Sequence, residues 1–327
     1  MGLSADAGLL VRGLSWSGES AASARADLAG LSLEPGVSWG FSVCDSRKHC
    51  LGYVTLLGAE GTSSVPCPTD SLAERGYQCG PCFARDEFRP IHDAHRGAAV
   101  SEQLNAYLAR PHWLYIATFA HGVSKVGTAV DFRAWARLAE QGAVAAQYVA
   151  RADDGRIVRL LEDSVSSGLG LPQVVRSTAK LAGLAAGAHT LQAVRALNAA
   201  VAQRAREHLA GVGSAGLGTG GQHSGGFLIS EDPWQPAGIA RPVLDTLGTP
   251  VYPLALDAGQ HGLRIDGLLG STALVRVLDG GVAGAGASAG AELDPQPWLA
   301  DLGALKGRRI VLGDYRSTLP AVQTSLF

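Results

Sequence analysis

Alternating apolar and polar residues predict short strands in the first third of the chain. Residues 37–43 alternate with a period of two, and residues 51–57 form a second apolar run followed by turn residues. Residues 67–96 combine cysteine, glycine, proline and charged residues without a hydrophobic period. This pattern predicts two strands followed by a loop-rich segment.

The middle of the chain predicts the order strand, strand, helix, strand, helix. Residues 112–128 are typical of a hairpin, and residues 144–150 are typical of a third strand. Apolar residues at helical spacing predict a helix over 131–141, with Asp131 as its N-cap, and another over 157–165.

The rest of the chain predicts one long helix and then short strands. An alanine-rich stretch at 178–210 favours a single helix, and glycine-rich residues 211–226 favour a linker. The low-complexity stretch at 280–290 is typical of a mobile loop. Apolar runs predict strands over 251–256, 263–269, 273–278 and 308–312.

These elements predict an α+β fold in four parts. The parts are a strand-rich part at 1–100 that contains all five cysteines, a central α/β module at 108–176, a helical segment at 177–212 and a C-terminal strand-rich part at 225–327.

The hydrophobic content and net charge exclude some classes of protein. The 327 residues are 46% hydrophobic with a net charge of −2, which excludes a wholly disordered chain and disfavours a protein that coats nucleic acid or membranes electrostatically. No stretch approaches the roughly 20 apolar residues of a membrane span, and the start of the chain lacks a signal-peptide pattern. We therefore expect a cytoplasmic protein with no membrane partner.

All five cysteines lie between residues 44 and 82, a clustering that favours a metal site in an intracellular protein. Cys79-Gly-Pro-Cys82 lets two thiolates hold one ion, and Cys67 and Cys50 are the nearest further ligands. Four thiolates predict a closed, structural zinc site, with Cys44 left over. His49, His92 or His95 could replace one cysteine.

Two other interpretations of the cysteines stay open. A CxxC motif can be a thioredoxin-like redox pair, although that pair normally opens a helix, whereas here Pro81 leads into charged, loop-like sequence. Alternatively, the cysteines are free thiols without a ligand.

The central module carries an ordered set of polar residues suited to phosphodiester chemistry. Adjacent strands would bring Tyr115 and Lys125 together, the next helix offers Arg133 and Arg137, and a later helix offers Glu162. Here Glu162 is the candidate Mg²⁺ or Mn²⁺ ligand, an arginine stabilises the developing charge, and Tyr115 or Lys125 helps deprotonate water. Residues 110–180 hold nine basic and six acidic residues, which fits a phosphate-bearing ligand.

This set resembles the GIY-YIG endonuclease superfamily. Trp113-Leu-Tyr115 stands at the first tripeptide and Lys125-Val-Gly127 at the second, with lysine where tyrosine is usual. Together with Gln78-Cys-Gly-Pro-Cys82 and the run from Arg137 to Gln141-Gly-Ala143, the set is similar to the domain-of-unknown-function family numbered 2797. That resemblance implies a cysteine-rich N-terminal part beside a GIY-YIG-like centre, and it favours Arg137 over Arg133 as the functional arginine.

The leading hypothesis is a zinc-stabilised, metal-dependent phosphodiester hydrolase acting on nucleic acid. Lys125 in place of the usual tyrosine favours one alternative, a nucleic-acid-binding module without catalysis. The other alternative is an enzyme of small-molecule metabolism that uses the same cleft.

Overall fold

A computed structural model describes residues 8–97, 99–215, 226–278 and 293–319, and within them the predicted α+β class is confirmed. The predicted linker lies outside these ranges from residue 216 to 225, and the predicted loop at 280–290 lies wholly outside them. Across the described ranges, every helix is too short or too polar to cross a membrane.

Sixteen strands and seven α-helices form within the described residues, joined in places by short 3-10 helices. The strands are β1 (Leu9–Leu10), β2 (Leu14–Ser17), β3 (Arg25–Leu28), β4 (Leu31–Ser32), β5 (Ser38–Asp45), β6 (Tyr53–Leu56), β7 (Thr62–Val65), β8 (His112–Thr118), β9 (Ser124–Val130), β10 (Ala145–Ala152), β11 (Phe227–Ile229), β12 (Pro233–Trp234), β13 (Gln260–Leu269), β14 (Thr272–Leu278), β15 (Leu293–Asp301) and β16 (Arg309–Gly313). The helices are α1 (Gly80–Arg85), α2 (Glu102–Leu108), α3 (Ala134–Gln141), α4 (Gly155–Leu169), α5 (Ser177–Ala186), α6 (Leu191–Ala215) and α7 (Arg241–Asp245).

The largest sheet joins the two ends of the chain. Its six antiparallel strands lie in the order β1-β16-β5-β13-β14-β15. Strand β5 lies between two C-terminal strands, and Phe41 pairs with both His261 and Leu312. The strand-rich segments at the two ends therefore build one sheet together.

The second sheet contains the predicted hairpin. Its strands lie in the order β11-β10-β8-β9, with β12 also paired to β10. Residue Tyr115 in β8 stands opposite Gly127 in β9. The predicted order strand, strand, helix, strand, helix over residues 112–165 is confirmed in β8, β9, α3, β10 and α4.

Both faces of this second sheet are buried. On one face, Ile116 packs in a core with Leu161 of α4 and Val201 of α6. On the other face, Tyr115 joins a core that includes Trp135 of α3 and Leu263 of the six-stranded sheet. Helix α3 is thus packed into the core between the two sheets, which fixes the positions of its polar residues.

Three predicted elements differ in the structure, each for a local reason. The helix expected over 178–210 is two helices, because Gly187 ends α5 in the left-handed conformation, with φ 57°. The strand expected over 251–256 is reduced to one bridge between Val251 and Leu299, since Pro250 and Pro253 have no N–H to donate. The expected loop at 67–96 contains α1, which begins directly after Cys79.

The start of α3 also differs from the prediction. A 3-10 turn spans Asp131–Arg133, and α3 begins at Ala134. Asp131 does not cap it, because its carboxylate accepts hydrogen bonds from Arg110 and from the Phe132 N–H. The helix ends at Gln141, as predicted, and the next residue, Gly142, is in the left-handed conformation that terminates it.

Candidate functional site

Four cysteine side chains converge in the N-terminal part of the molecule. Their sulfur atoms all lie within 4.8 Å of one another, an arrangement that could hold a metal ion. The first ligand precedes β6, the second follows β7, and the last two lie at the N-cap and in the first turn of α1. The predicted set is therefore brought together in full: Cys50, Cys67, Cys79 and Cys82.

The backbone around the cluster points hydrogen-bond donors at sulfur. The N–H groups of Gly52 and Cys79 donate to Cys50 Sγ over 3.3 and 3.2 Å, which stabilises a thiolate there. Gly52 has φ 90°, and a Cβ at this position would lie 1.8 Å from the Val65 carbonyl oxygen. Glycine is needed here for the chain to turn closely past β7.

The pKa values of three of these thiols are shifted from the ordinary cysteine value, and not all in the same direction. Burial raises the pKa of Cys50, and burial together with the neighbouring thiols raises the pKa of Cys82. Burial opposes ionisation of Cys67 as well, but hydrogen bonds from Thr69 and Ser71 outweigh it and lower its pKa to about 6. A bound cation would favour the thiolate form at all four positions.

The donor set fits a tetrahedral thiolate site. Zinc–sulfur bonds of about 2.3 Å imply sulfur–sulfur separations of about 3.8 Å in a tetrahedron. Cys67 Sγ and Cys79 Sγ lie 3.9 Å apart. The remaining sulfurs, within 4.8 Å, need only small movements to close on an ion.

The other candidate ligands are engaged elsewhere. Cys44 is exposed, and its thiol donates to the Arg309 carbonyl oxygen. His49 pairs with Asp45 over 3.0 Å, and His95 lies 3.3 Å from an oxygen of Asp163. The side chain of His92 lies outside the described part of the structure.

The CxxC motif opens a helix, contrary to the sequence-based argument against a redox pair. Pro81 is compatible with this because proline is well suited to the first turn of a helix. The convergence of four thiols, and not the absence of a helix, is what favours a metal over a two-cysteine redox pair.

A second group of polar residues forms around Tyr115, which is almost wholly buried. Its phenol lies against Gly127, and the positive charge of Arg137 is close enough to lower the pKa of the phenol. Burial and the charge of Glu162 raise the pKa of Tyr115 to about 12, against the effect of Arg137. The phenol therefore stays protonated near neutral pH and can act as a hydrogen-bond donor.

Lys125 is buried beside this tyrosine. Its ammonium lies 5.8 Å from the centre of the Tyr115 ring and donates to the Gln173 carbonyl oxygen over 3.0 Å. Burial, followed by the charges of Arg137 and Lys180, lowers the pKa of Lys125 to about 8. A neutral amine is therefore accessible just above physiological pH.

The carboxylate of Glu162 lies in the same region but is already paired with an arginine. Its side chain is only 4% exposed, and Arg159 donates to it over 2.5 Å. Arg133 and Arg137 both pair with Glu140. Of these two arginines, Arg137 is the one whose charge acts on the pKa of Tyr115.

Next to this group lies a cavity of about 630 Å³, which we call the basic cavity. Four cations line it against a single carboxylate, that of Glu140. The cations are Arg133, Arg137, Arg159 and Lys306. Tyr115, Lys125 and Glu162 are not among its lining residues and lie behind the arginines.

Two of the cations were missed by sequence reasoning. Arg159 could have been found from its spacing of three residues to Glu162 on a predicted helix, the distance of an ion pair. Lys306 carries no such signal, because it lies more than 100 residues further along the chain and reaches the cavity through the tertiary fold.

Comparisons with protein-family models, with curated proteins and with solved structures gave no match to this chain. The resemblance to the GIY-YIG superfamily and to family 2797 therefore stays a prediction.

Proposed function

We propose that this protein binds a phosphate-bearing ligand, with nucleic acid as the first candidate, in the basic cavity. The observation that carries the proposal is the charge of the lining, in which three arginines and one lysine face a single glutamate. Arg159 also pairs with Glu162 behind the lining, so an excess of two positive charges remains at the cavity. Arginine is well suited to phosphate because its planar guanidinium donates two parallel hydrogen bonds.

The arginines at the cavity are accessible to a ligand. The side chains of Arg133 and Arg137 are 46% and 48% exposed, so their guanidinium groups are not sealed in the core. Both arginines pair with Glu140, so one carboxylate balances two positive charges. A phosphate group would supply the missing negative charge.

Binding is tested with labelled single-stranded and duplex DNA and RNA over a series of salt concentrations. We expect affinity to fall as salt rises, and the double variant Arg133→Gln/Arg137→Gln to bind on the order of tenfold more weakly and to reduce the salt slope by about 2. Arg195→Gln/Arg204→Gln removes two exposed arginines of α6 that do not line this cavity and is the matched control.

No salt-dependent affinity for any of the four nucleic acids would overturn the nucleic-acid assignment. Equal losses of affinity in Arg133→Gln/Arg137→Gln and in Arg195→Gln/Arg204→Gln would overturn the assignment to the basic cavity. If inorganic phosphate alone protects the protein against unfolding, a small phosphorylated molecule becomes the preferred ligand.

Phosphodiester hydrolysis is the second candidate, favoured by the meeting of Tyr115, Lys125, Arg137 and Glu162 from four separate elements. In this proposal water attacks the phosphorus atom and the P–O bond to one nucleotide breaks. Arg137 stabilises charge on the phosphate, the neutral amine of Lys125 accepts the proton from water, and Tyr115 donates a hydrogen bond to the leaving oxygen. Because Lys125 and Tyr115 are buried and do not line the cavity, this step requires the side chains that cover them to move when the ligand binds. Glu162 as arranged does not fit a Mg²⁺ or Mn²⁺ site, because Arg159 occupies its carboxylate. Among the described residues, the cysteine cluster is the only group of three or more such ligands positioned for a metal.

Hydrolysis is tested by incubating the same nucleic acids with Mg²⁺ or Mn²⁺ and comparing wild type with Lys125→Met, which lacks the proposed base. Loss of cleavage with retained binding in Lys125→Met would support catalysis. Intact nucleic acid with either cation would eliminate hydrolysis and leave the binding module.

We also propose that the ion held by the cysteine cluster is zinc and that its role is structural. Four thiolates leave no open coordination position for a substrate, and zinc prefers this donor set. Elemental analysis of the purified protein should give one zinc per chain, and a metal-free, stably folded protein would contradict the proposal.

A further inference from the structure

A second cavity, of about 730 Å³, lies on the other side of the short segment 131–134. We call it the aromatic cavity because five aromatic side chains from five different elements line it. They are Trp113, Phe132, Trp135, Tyr148 and Trp234.

The charge of this cavity is opposite to that of the basic cavity. Three carboxylates line it, those of Glu19, Asp131 and Asp232, and its lining contains no lysine, arginine or histidine. Segment 131–134 contributes to both linings, with Arg133 on the basic side and Phe132 on the aromatic side. The fold thus separates positive and negative side chains onto two adjacent cavities.

Part of the aromatic lining is already used by cations of the protein itself. Arg110 lies over the Phe132 ring at 4.9 Å and pairs with Asp131, and Arg151 lies over the Trp113 ring at 5.8 Å. Within the described part of the chain, no such cation lies over the remaining three rings. These are the rings of Trp135, Tyr148 and Trp234.

The indole N–H groups of Trp135 and Trp234 are not available to a ligand. Trp135 Nε1 donates to the Gln235 carbonyl oxygen over 3.0 Å, and Trp234 Nε1 donates to the Trp135 carbonyl oxygen over 3.2 Å. Because both N–H groups are taken by backbone, what these rings present to the cavity is apolar surface. Asp232 lies at the rim, fixed by the hydrogen bond from Tyr148 N to its carbonyl oxygen.

We propose that the aromatic cavity binds a small organic cation carrying a quaternary or protonated ammonium group. Aromatic faces attract such a cation through the ring quadrupole, and the attraction strengthens where water is excluded. The exposed carboxylates of Glu19 and Asp232 would complement its charge. This site is separate from the phosphate-binding proposal, and either can fail without the other.

Choline is the probe, and 3,3-dimethylbutan-1-ol, which has the same shape without the charge, is its neutral counterpart. Calorimetric titration or ligand-observed NMR of the full chain should show saturable binding of choline, about tenfold tighter than binding of the alcohol. No saturable binding of choline, or equal affinity for the two compounds, would overturn the proposal.

Variants of two adjacent carboxylates test whether choline binds in this cavity. Asp232→Asn removes a charge from the lining, and Glu231→Gln removes an exposed neighbouring charge that does not line it. We expect choline to bind about two- to fivefold more weakly to Asp232→Asn and unchanged to Glu231→Gln. Equal affinities of the two variants for choline would place the cation elsewhere and overturn the assignment.

Discussion

At the scale of a single residue, packing explains why position 127 in the second tripeptide is a glycine. A Cβ on Gly127 would lie 2.5 Å from Tyr115 Oη, too close for any side chain, while the backbone φ at Gly127 is not in the left-handed region. Glycine is therefore required by the tyrosine that packs across the hairpin. The tyrosine that ends the first tripeptide therefore limits the size of the residue that ends the second tripeptide.

The titration of Lys125 gives a prediction at this scale. Its pKa is about 8 in the folded protein against 10.5 for an ordinary lysine, so the unfolded chain binds more protons between these two values. The free energy of unfolding of wild type should therefore rise relative to that of Lys125→Met as pH increases from 8 to 10.5, by at most about 3 kcal/mol. Urea unfolding of both proteins over this range measures the difference.

Below pH 8 the difference between the two proteins should be constant, since Lys125 is then protonated in both states. Lys48→Met, which removes an exposed lysine, serves as the control. A wild-type-minus-Lys125→Met difference that stays flat up to pH 10.5 would show that burial of this amine does not oppose its charge.

At the scale of elements, the segment around α1 depends on the cysteine cluster. Its local core consists of Cys50, Cys79 and Cys82, with Tyr53 and Cys67 packed against them, which is too little apolar surface to stabilise the segment alone. If an ion crosslinks the four sulfurs, it joins the β6–β7 hairpin to α1.

Removal of the metal should therefore destabilise the protein. Cys67→Ser, or treatment of wild type with a strong chelator, should lower the free energy of unfolding by on the order of 4 kcal/mol. Cys44→Ser is the matched control because Cys44 lies outside the cluster. Thermal melts that are identical for wild type, chelated wild type and Cys67→Ser would contradict a structural metal.

Hydrophobic periodicity correctly predicted the helices and strands whose apolar pattern lies within one short stretch of sequence. The hairpin, α3, β10 and α4 follow from the alternation and helical spacing within residues 112–165, and the four cysteines of the cluster follow from their spacing. The break at Gly187 was hidden inside a uniform alanine-rich pattern. A single left-handed residue ends a helix without changing the apolar period around it.

At the scale of the whole molecule, the sites depend on contacts that sequence patterns do not record. Lys306 reaches the basic cavity from the segment that follows β15, and Trp234 reaches the aromatic cavity by pairing with Ala146 of β10. Both cavities arise where segments distant in sequence meet. A four-part division of the sequence could therefore place candidate residues but not the cavities that they line.

The shared six-stranded sheet gives the last prediction. Fragments 1–215 and 226–327 each lack strands that the other supplies, because β5 lies between β13 and β16. Each fragment alone would leave part of the common core exposed, for example Phe41 in the first and Leu263 in the second. We expect neither fragment to unfold cooperatively alone, and co-expression to restore a complex with a sharp thermal transition.

Circular dichroism melts and gel filtration of the separate and co-expressed fragments measure this dependence, with the intact chain as the reference. Cooperative folding requires that most of the core form together, and here that core draws on strands from both fragments. A sharp transition in fragment 1–215 by itself would show that the central sheet and its helices hold a sufficient core of their own. The six-stranded sheet would then be an addition to an independently stable module and not the element that holds the chain together.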